Sequence, residues 1–412
     1  RKRGRYGMKT SSLTSNLSFF SLVVLLPIRH LLGYFQGLAA IPVIRGLGLL
    51  PLLFSLILFL CFLKSKKRPV SWHGWLFFVI LLVLAGVVIL FSPNFQDNLG
   101  RSSFYFNISI LAYYFIYFII GFYYNGFSQY HKWIYLFWFL MLLNLLWHYD
   151  FSAMRISFQG FDQEKVGVYL FLGDSFAIWS LLVLSLLTKA PFKSTCVALC
   201  SIIALLSFNS RASLYAFIFV LPLVILLTKK SWKYWVITIA ALVPVFSNFF
   251  DLLEYANRRM LAILYLSSDQ SMISRNILLK EGILGIQKNW FIGDYAGQLR
   301  YGSLGSYIHN YLSLWRQFGI LPFLAFLGLL GFFIMKCWRL FWTNIRQREI
   351  SPRTFFLVVA GGFCFIEIVA ARSYVTPYIW FFLGMSLNTP KRSVTNIVKT
   401  RKIRQQLSSE KS

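Results

Sequence analysis

Three arginines carry positive charges that have to be accounted for, two of them at the ends of long apolar segments and one at the start of a helical stretch in a long loop. Arg211 lies in the tight turn NSRAS, Arg275 in the sequence SRN, and Arg372 in the tight turn AARSY. A guanidinium is planar and permanently charged, and it donates paired hydrogen bonds to carboxylates and phosphates. Each of the three arginines is therefore predicted either to have a structural partner or to bind an anionic ligand.

Each arginine also has a purely structural interpretation. Arg211 can snorkel to lipid head groups. Arg275 can be a solvated charge that pairs with Glu281. Arg372 lies five residues after Glu367, an acid inside an apolar segment, and a buried carboxylate needs a partner. The residues alone leave both interpretations open.

His309 is the fourth residue of interest, at the start of an apolar segment that reads HNYLSLW. We predict that a helix begins here, with His309, Leu312, Ser313 and Arg316 on one face. A lone histidine at a span end is often an interfacial polar anchor. No acid lies one or two turns away and no HExxH spacing is present, so no metal site is predicted.

Asp174 and Glu367 are acids inside apolar segments, where an ionised carboxylate is costly unless it is paired or hydrated. Each is interpreted either as a substrate contact or as a polar residue between packed helices. In a transporter, the same two acids would be candidate ion or proton sites.

The composition defines the fold that has to position these residues. Of 412 residues, 58% are hydrophobic and only 13% are charged, whereas soluble domains have about 25% charged residues. Apolar runs of about 17 to 25 residues recur along the chain, which predicts an all-α polytopic membrane protein with about 12 transmembrane helices. The predicted spans are residues 19–34, 46–63, 75–91, 104–122, 133–147, 166–187, 195–208, 213–227, 234–249, 311–334, 355–371 and 374–385.

The basic residues are distributed unequally between the two sides of the membrane. With twelve spans, 27 of the 41 Lys and Arg residues fall on the side of both termini, together with only two of the 13 acids. By the positive-inside rule that side is predicted to be cytoplasmic. We therefore predict a basic cytoplasmic segment at 1–15, a transmembrane domain at 16–388 and a basic tail at 389–412, with membrane lipids rather than nucleic acid as partners.

One long loop, at about residues 250–307, is predicted on the side away from the cytoplasm. It has no proline and places apolar residues at helical spacing, in residues 252–264 and again at Ile273, Ile277 and Leu284. Such spacing is typical of amphipathic helices at a membrane surface. These helices would roof a cavity that opens to the outer face of the membrane.

Three motifs, in order around this loop, resemble those of the O-antigen ligase and O-antigen polymerase superfamily. Residues 306–312, SYIHNYL, and 317–321, QFGIL, resemble the family's H-N-x-x-L and G-I-x-G signature. The NSRAS turn resembles its S/T-R-A/G turn, and SRN resembles the arginine that begins a helix in its periplasmic loop. The resemblance covers about residues 165–385.

The resemblance implies a GT-C-like glycosyltransferase of the bacterial inner membrane, with both termini cytoplasmic and the active site periplasmic. The implied donor is a glycan on undecaprenyl pyrophosphate, transferred with inversion and without a metal or cofactor. His309 would remove the proton of the acceptor hydroxyl, and Arg211 and Arg275 would bind the pyrophosphate. Arg372 joins them on the charge argument given above. Further candidate substrate contacts are Asn310, Asp174 and Glu367.

Several functions stay open at this point. A ligase would transfer the glycan to lipid A-core, whereas a polymerase would transfer it to another carrier-linked repeat unit. The arginine turn and the His-Asn motif lie closest to the ligase branch. A polysaccharide transporter or flippase and a non-catalytic membrane scaffold are the alternatives from other classes.

Overall fold

The structure is a computed structural model in which the chain is mainly helical. It describes residues 50–64, 72–97, 100, 102–124, 131–150, 155–156, 168–208, 210–228, 270–301, 308–347 and 350–388, together with Phe19 and Val236.

The described residues form twelve α-helices and one short antiparallel strand pair. The helices are α1 (Leu50–Lys64), α2 (Trp72–Phe91), α3 (Ser103–Tyr123), α4 (His131–Trp147), α5 (Val168–Leu186), α6 (Pro191–Ser207), α7 (Arg211–Leu227), α8 (Gln270–Lys288), α9 (Leu312–Phe318), α10 (Ile320–Gln347), α11 (Pro352–Ala370) and α12 (Tyr378–Leu387). The strands are β1 (Tyr149–Asp150) and β2 (Arg155–Ile156), and a 3₁₀ turn covers Gly297–Tyr301.

Four helices in the described part of the chain, α2, α3, α10 and α11, are long and apolar enough to cross a membrane. Shorter apolar helices include α1, α5, α6, α7 and α12. Since a helix satisfies its own backbone hydrogen bonds, it is the element that tolerates hydrocarbon surroundings. The chain is thus a helical membrane protein, as the composition predicts.

Ten of the twelve predicted spans overlap described helices. The other two, at 19–34 and 234–249, lie outside the described residues except for Phe19 and Val236. The predicted terminal segments 1–15 and 389–412 also lie outside them. The count of twelve spans therefore stays a prediction.

The predicted span at 311–334 is divided into two helices. α9 ends at Phe318 and α10 begins at Ile320. His309 lies in the turn before α9, which begins at Leu312. The prediction that His309 shares a helix face with Ser313 and Arg316 is therefore wrong, because the helix begins three residues later than expected.

The break between α9 and α10 depends on Gly319. Its φ is 83° and its ψ is −178°, a backbone conformation that is essentially restricted to glycine. A Cβ at this position would lie 2.1 Å from the Phe291 carbonyl oxygen. That oxygen also accepts a hydrogen bond from the Ile320 amide at 3.2 Å, which ties the turn after α8 to the start of α10.

Gly319→Ala is expected to lower the free energy of unfolding by about 1 to 3 kcal/mol, because alanine is strained in this conformation and collides with Phe291. Thermal unfolding of the purified protein in detergent measures the change. Gly331→Ala in α10 is the matched control, since a Cβ there meets no atom within 4 Å. Equal unfolding temperatures for the two variants would show that the break does not require glycine.

The second helical stretch predicted in the long loop is confirmed as α8, whereas the first, at 252–264, lies outside the described residues. Ile273, Ile277 and Leu284 of α8 are exposed. Gly282 and Ile286, on the opposite face, are buried. The glycine face of α8 thus packs against the segment that begins α9.

Candidate functional site

The best-defined polar cluster in the described part of the chain joins α5 to the turn between α11 and α12. Arg372 donates from Nε to Oδ2 of Asp174 at 2.8 Å and from Nη2 to Oδ1 at 2.5 Å. Both side chains are buried, with 7% and 5% of their surfaces exposed. This two-bond geometry fixes the guanidinium plane as well as its position.

The start of α7 completes this cluster. Ser213 donates to Oδ1 of Asp174 at 2.5 Å and accepts from Nη2 of Arg372 at 3.2 Å. The hydroxyls of Ser210 and Ser213 are 2.6 Å apart. Arg211 is the first residue of α7 and lies between these two serines in sequence. The NSRAS turn, of which Asn209 lies outside the described residues, therefore adjoins the buried ion pair.

Glu367 is the second acid of the cluster. Its Oε1 lies 3.5 Å from Nη2 of Arg372, and the side chain is 1% exposed. The backbone carbonyl of Glu367 accepts hydrogen bonds from the amides of Ala371 and Arg372 at 2.8 and 2.7 Å. These bonds end α11 and turn the chain toward Asp174. The contact between Glu367 and Arg372 considered from sequence is present, but Asp174 makes the shorter contacts with Arg372.

Ser313 links the turn that contains Arg372 to the turn that contains His309, which we call the histidine turn. Its hydroxyl accepts from the Tyr374 amide at 2.7 Å and donates to the Asn310 carbonyl at 2.6 Å. The side-chain oxygen of Asn310 accepts from the Leu312 amide at 3.0 Å, which shapes the start of α9. Asn310 was predicted as a possible substrate contact, and in the structure its oxygen has this local role.

α8 brings Arg275 toward the same place. Arg275 lies seven residues before Gly282 and eleven before Ile286, so the three share the buried face of the helix. A Cβ on Gly282 would lie 2.3 Å from Cδ1 of Ile308, the residue next to His309. The close approach at Gly282 therefore places the Arg275 face of α8 against the histidine turn.

His309 is half-buried in this turn. Its pKa is lowered to about 4, first by burial and then by the positive charges of Arg275 and Arg372. At neutral pH the imidazole is therefore uncharged and can accept a proton. A neutral proton acceptor close to two permanent cations is suited to a reaction that deprotonates one group and releases an anion.

Removing one of these cations is expected to raise the pKa of His309. In Arg275→Gln the imidazolium loses a repulsive neighbour, so the pKa should rise from about 4 toward 6.5. NMR titration of histidine-labelled protein measures this shift, and His309→Ala identifies the signal among five histidines. Lys280→Gln, which removes an exposed charge from the same helix, is the control. Equal titration in both variants would show that Arg275 does not act on His309.

A second buried ion pair lies against Gly285 of α8. Arg316 lies 3.5 Å from Oδ2 of Asp294, and its carbonyl accepts the Asp294 amide. Nearby, the indole of Trp315 donates to the carbonyl of Trp290 at 2.8 Å. Asp294 was not predicted as a site residue, because a charge in a long loop is usually solvated.

Comparison with protein-family models, curated proteins and solved structures found no match to this chain. The chemistry therefore has to be argued from its own residues. Among the described residues, no group of three or more His, Cys, Asp or Glu side chains is arranged to hold a metal ion.

Several of the residues singled out from the sequence thus lie together in the structure. Asp174, Glu367 and Arg372 are in direct contact, Arg275 and Arg372 act electrostatically on His309, and Arg211 adjoins the cluster through its neighbouring serines. The connecting residues Ser213, Ser313 and Tyr374 were not predicted as site residues. Ser213 belongs to the NSRAS turn, and its place in that motif was the one feature of the sequence that pointed to it.

Proposed function

We propose that the chain is an inner-membrane glycosyltransferase that transfers a glycan from undecaprenyl pyrophosphate to lipid A-core, in the manner of an O-antigen ligase. The observation that carries the proposal is the meeting of a neutral, half-buried His309 with Arg275 and Arg372. The resemblance of the three motifs to that superfamily supports the assignment of substrate class.

The arginines suit the donor. A lipid pyrophosphate carries several negative charges, and it needs cations that keep their charge in a partly desolvated site. Arg211 and Arg275 would bind its oxygens. Arg372, which is held by Asp174, would add a further positive charge nearby. When the glycosyl bond breaks, the same cations stabilise the charge on the leaving pyrophosphate.

His309 would carry the proton step. The acceptor hydroxyl gives its proton to the imidazole while its oxygen bonds to the anomeric carbon. The bond from that carbon to the pyrophosphate oxygen breaks, and the electron pair leaves with undecaprenyl pyrophosphate. Attack opposite to the leaving group inverts the anomeric centre.

Donor binding would also strengthen the base. A pKa of about 4 makes His309 a weak base while its cationic neighbours are not neutralised. The negative charge of a bound pyrophosphate offsets Arg275 and Arg372, which raises the pKa of His309 toward the range that suits general-base catalysis. The acceptor is then deprotonated mainly when the donor is in place.

A polymerase that joins carrier-linked repeat units is the second candidate. It would use the same donor, cations and base, and only its acceptor would differ. A transporter or flippase is the third, favoured by the buried acids Asp174 and Glu367, which lie together beside Arg372. Such acids recur as ion and proton sites in membrane transport.

A gel profile of lipopolysaccharide from a strain that lacks the gene distinguishes these functions. The ligase proposal predicts bare core, with polymer accumulating on the lipid carrier and the ladder restored by the wild-type gene. Core capped by a single repeat unit would indicate the polymerase instead. An unchanged ladder would contradict both enzymes and favour the transporter.

A further inference from the structure

Asp174 has its hydrogen-bonding capacity directed to protein groups. Oδ2 accepts from Nε of Arg372, while Oδ1 accepts from Nη2 of Arg372 and from the Ser213 hydroxyl. The residue is 3% exposed. A carboxylate held in this way has little surface left for a sugar hydroxyl, so a direct substrate contact is not what its geometry favours.

Arg372 also affects the histidine turn. Its positive charge lowers the pKa of His309. The Tyr374 amide, two residues later, donates a hydrogen bond to Ser313 beside that turn. A long cationic side chain near the end of a membrane helix otherwise extends toward lipid head groups. The two bonds to Asp174 hold the guanidinium inside the protein, with its charge close to the histidine turn.

We propose that Asp174, oriented by Ser213, is a positioning residue that holds the Arg372 guanidinium beside His309. This inference rests on the proposed function, and it replaces a substrate contact at Asp174 by an action through Arg372. Asp97 offers a comparison, because it is also a buried aspartate but lies in the connection between α2 and α3 and is not part of the polar cluster described above.

The test is a double-mutant cycle on the purified protein in liposomes, with rates expressed per folded molecule. The variants are Asp174→Asn, Arg372→Gln, their double mutant and, as the matched control, Asp97→Asn. Misplacing a catalytic cation costs up to about 100-fold, so Asp174→Asn should reduce kcat/KM for the donor by about 10- to 100-fold. Asp97→Asn should stay within about threefold of wild type, and the double mutant within about threefold of Arg372→Gln.

A second readout does not depend on turnover. If Asp174 holds Arg372 beside His309, then Asp174→Asn and Arg372→Gln should both raise the pKa of His309 in the NMR titration, whereas Asp97→Asn should leave it unchanged. A role limited to helix packing would lower the folded fraction without this selective shift.

Two outcomes would overturn the inference. Losses that multiply in the double mutant would show that Asp174 acts on substrate independently of Arg372. Wild-type turnover and an unchanged titration of His309 in Asp174→Asn would show that Arg372 needs no such partner. An inactive wild-type protein would instead contradict the proposed function, and the NMR titration would still test the positioning.

Discussion

His309→Ala is expected to lower the rate of glycan transfer by about 100- to 10,000-fold, the range that a general base contributes. Donor binding should change by less than about threefold, since the imidazole takes the acceptor proton and the arginines hold the pyrophosphate. Transfer rates and donor affinity of the reconstituted variant measure both quantities.

His73→Ala is the matched control for this variant. His73 is exposed in the first turn of α2, far along the chain from the candidate site. Its replacement should leave transfer unchanged. Near-normal transfer by His309→Ala would remove the assignment of His309 as the base.

Arg275→Lys and Arg211→Lys are each expected to reduce kcat/KM for the donor by about 10- to 100-fold, because each lost charge-assisted hydrogen bond contributes about 1.5 to 3 kcal/mol. Lysine keeps the positive charge, but it is a point charge and cannot reproduce the planar fork of arginine. Initial rates over a range of donor concentrations give kcat and KM separately.

Arg346→Lys controls for a general effect of exchanging arginine for lysine. Arg346 is exposed in the last turn of α10, on the side predicted to be cytoplasmic. It should tolerate the exchange. Full activity in both Arg275→Lys and Arg211→Lys would mean that these residues are charges at the membrane margin, and the pyrophosphate would then need other ligands.

Hydropathy was sufficient to predict most of the helices. A helix that crosses the hydrocarbon core needs a continuous run of apolar residues. Such a run can be recognised in the sequence without knowing which helices pack against it. The helix at Gln270–Lys288 was predicted from the spacing of Ile273, Ile277 and Leu284. The break at Gly319 was not predicted, because it depends on a close approach to Phe291, a contact between distant parts of the chain.

Several residues of the polar cluster were singled out from the sequence, but their partners were not. Arg372 was expected near Glu367, which is local in sequence, whereas its shorter contacts are with Asp174, 198 residues away. Local spacing carries no information about which helices are neighbours. For the same reason the bond between Ser313 and the Tyr374 amide, which joins the two turns, was missed.

The most direct test of the proposed chemistry is transfer by the purified protein in liposomes that contain an undecaprenyl-pyrophosphate-linked glycan and lipid A-core. We expect wild type to form glycosylated lipid A-core and to release undecaprenyl pyrophosphate in equal amounts, and His309→Ala to form almost none. Equal rates of product formation by wild type and His309→Ala would contradict glycosyl transfer at this site. So would the absence of product from wild type with both lipid A-core and a carrier-linked repeat unit as acceptor.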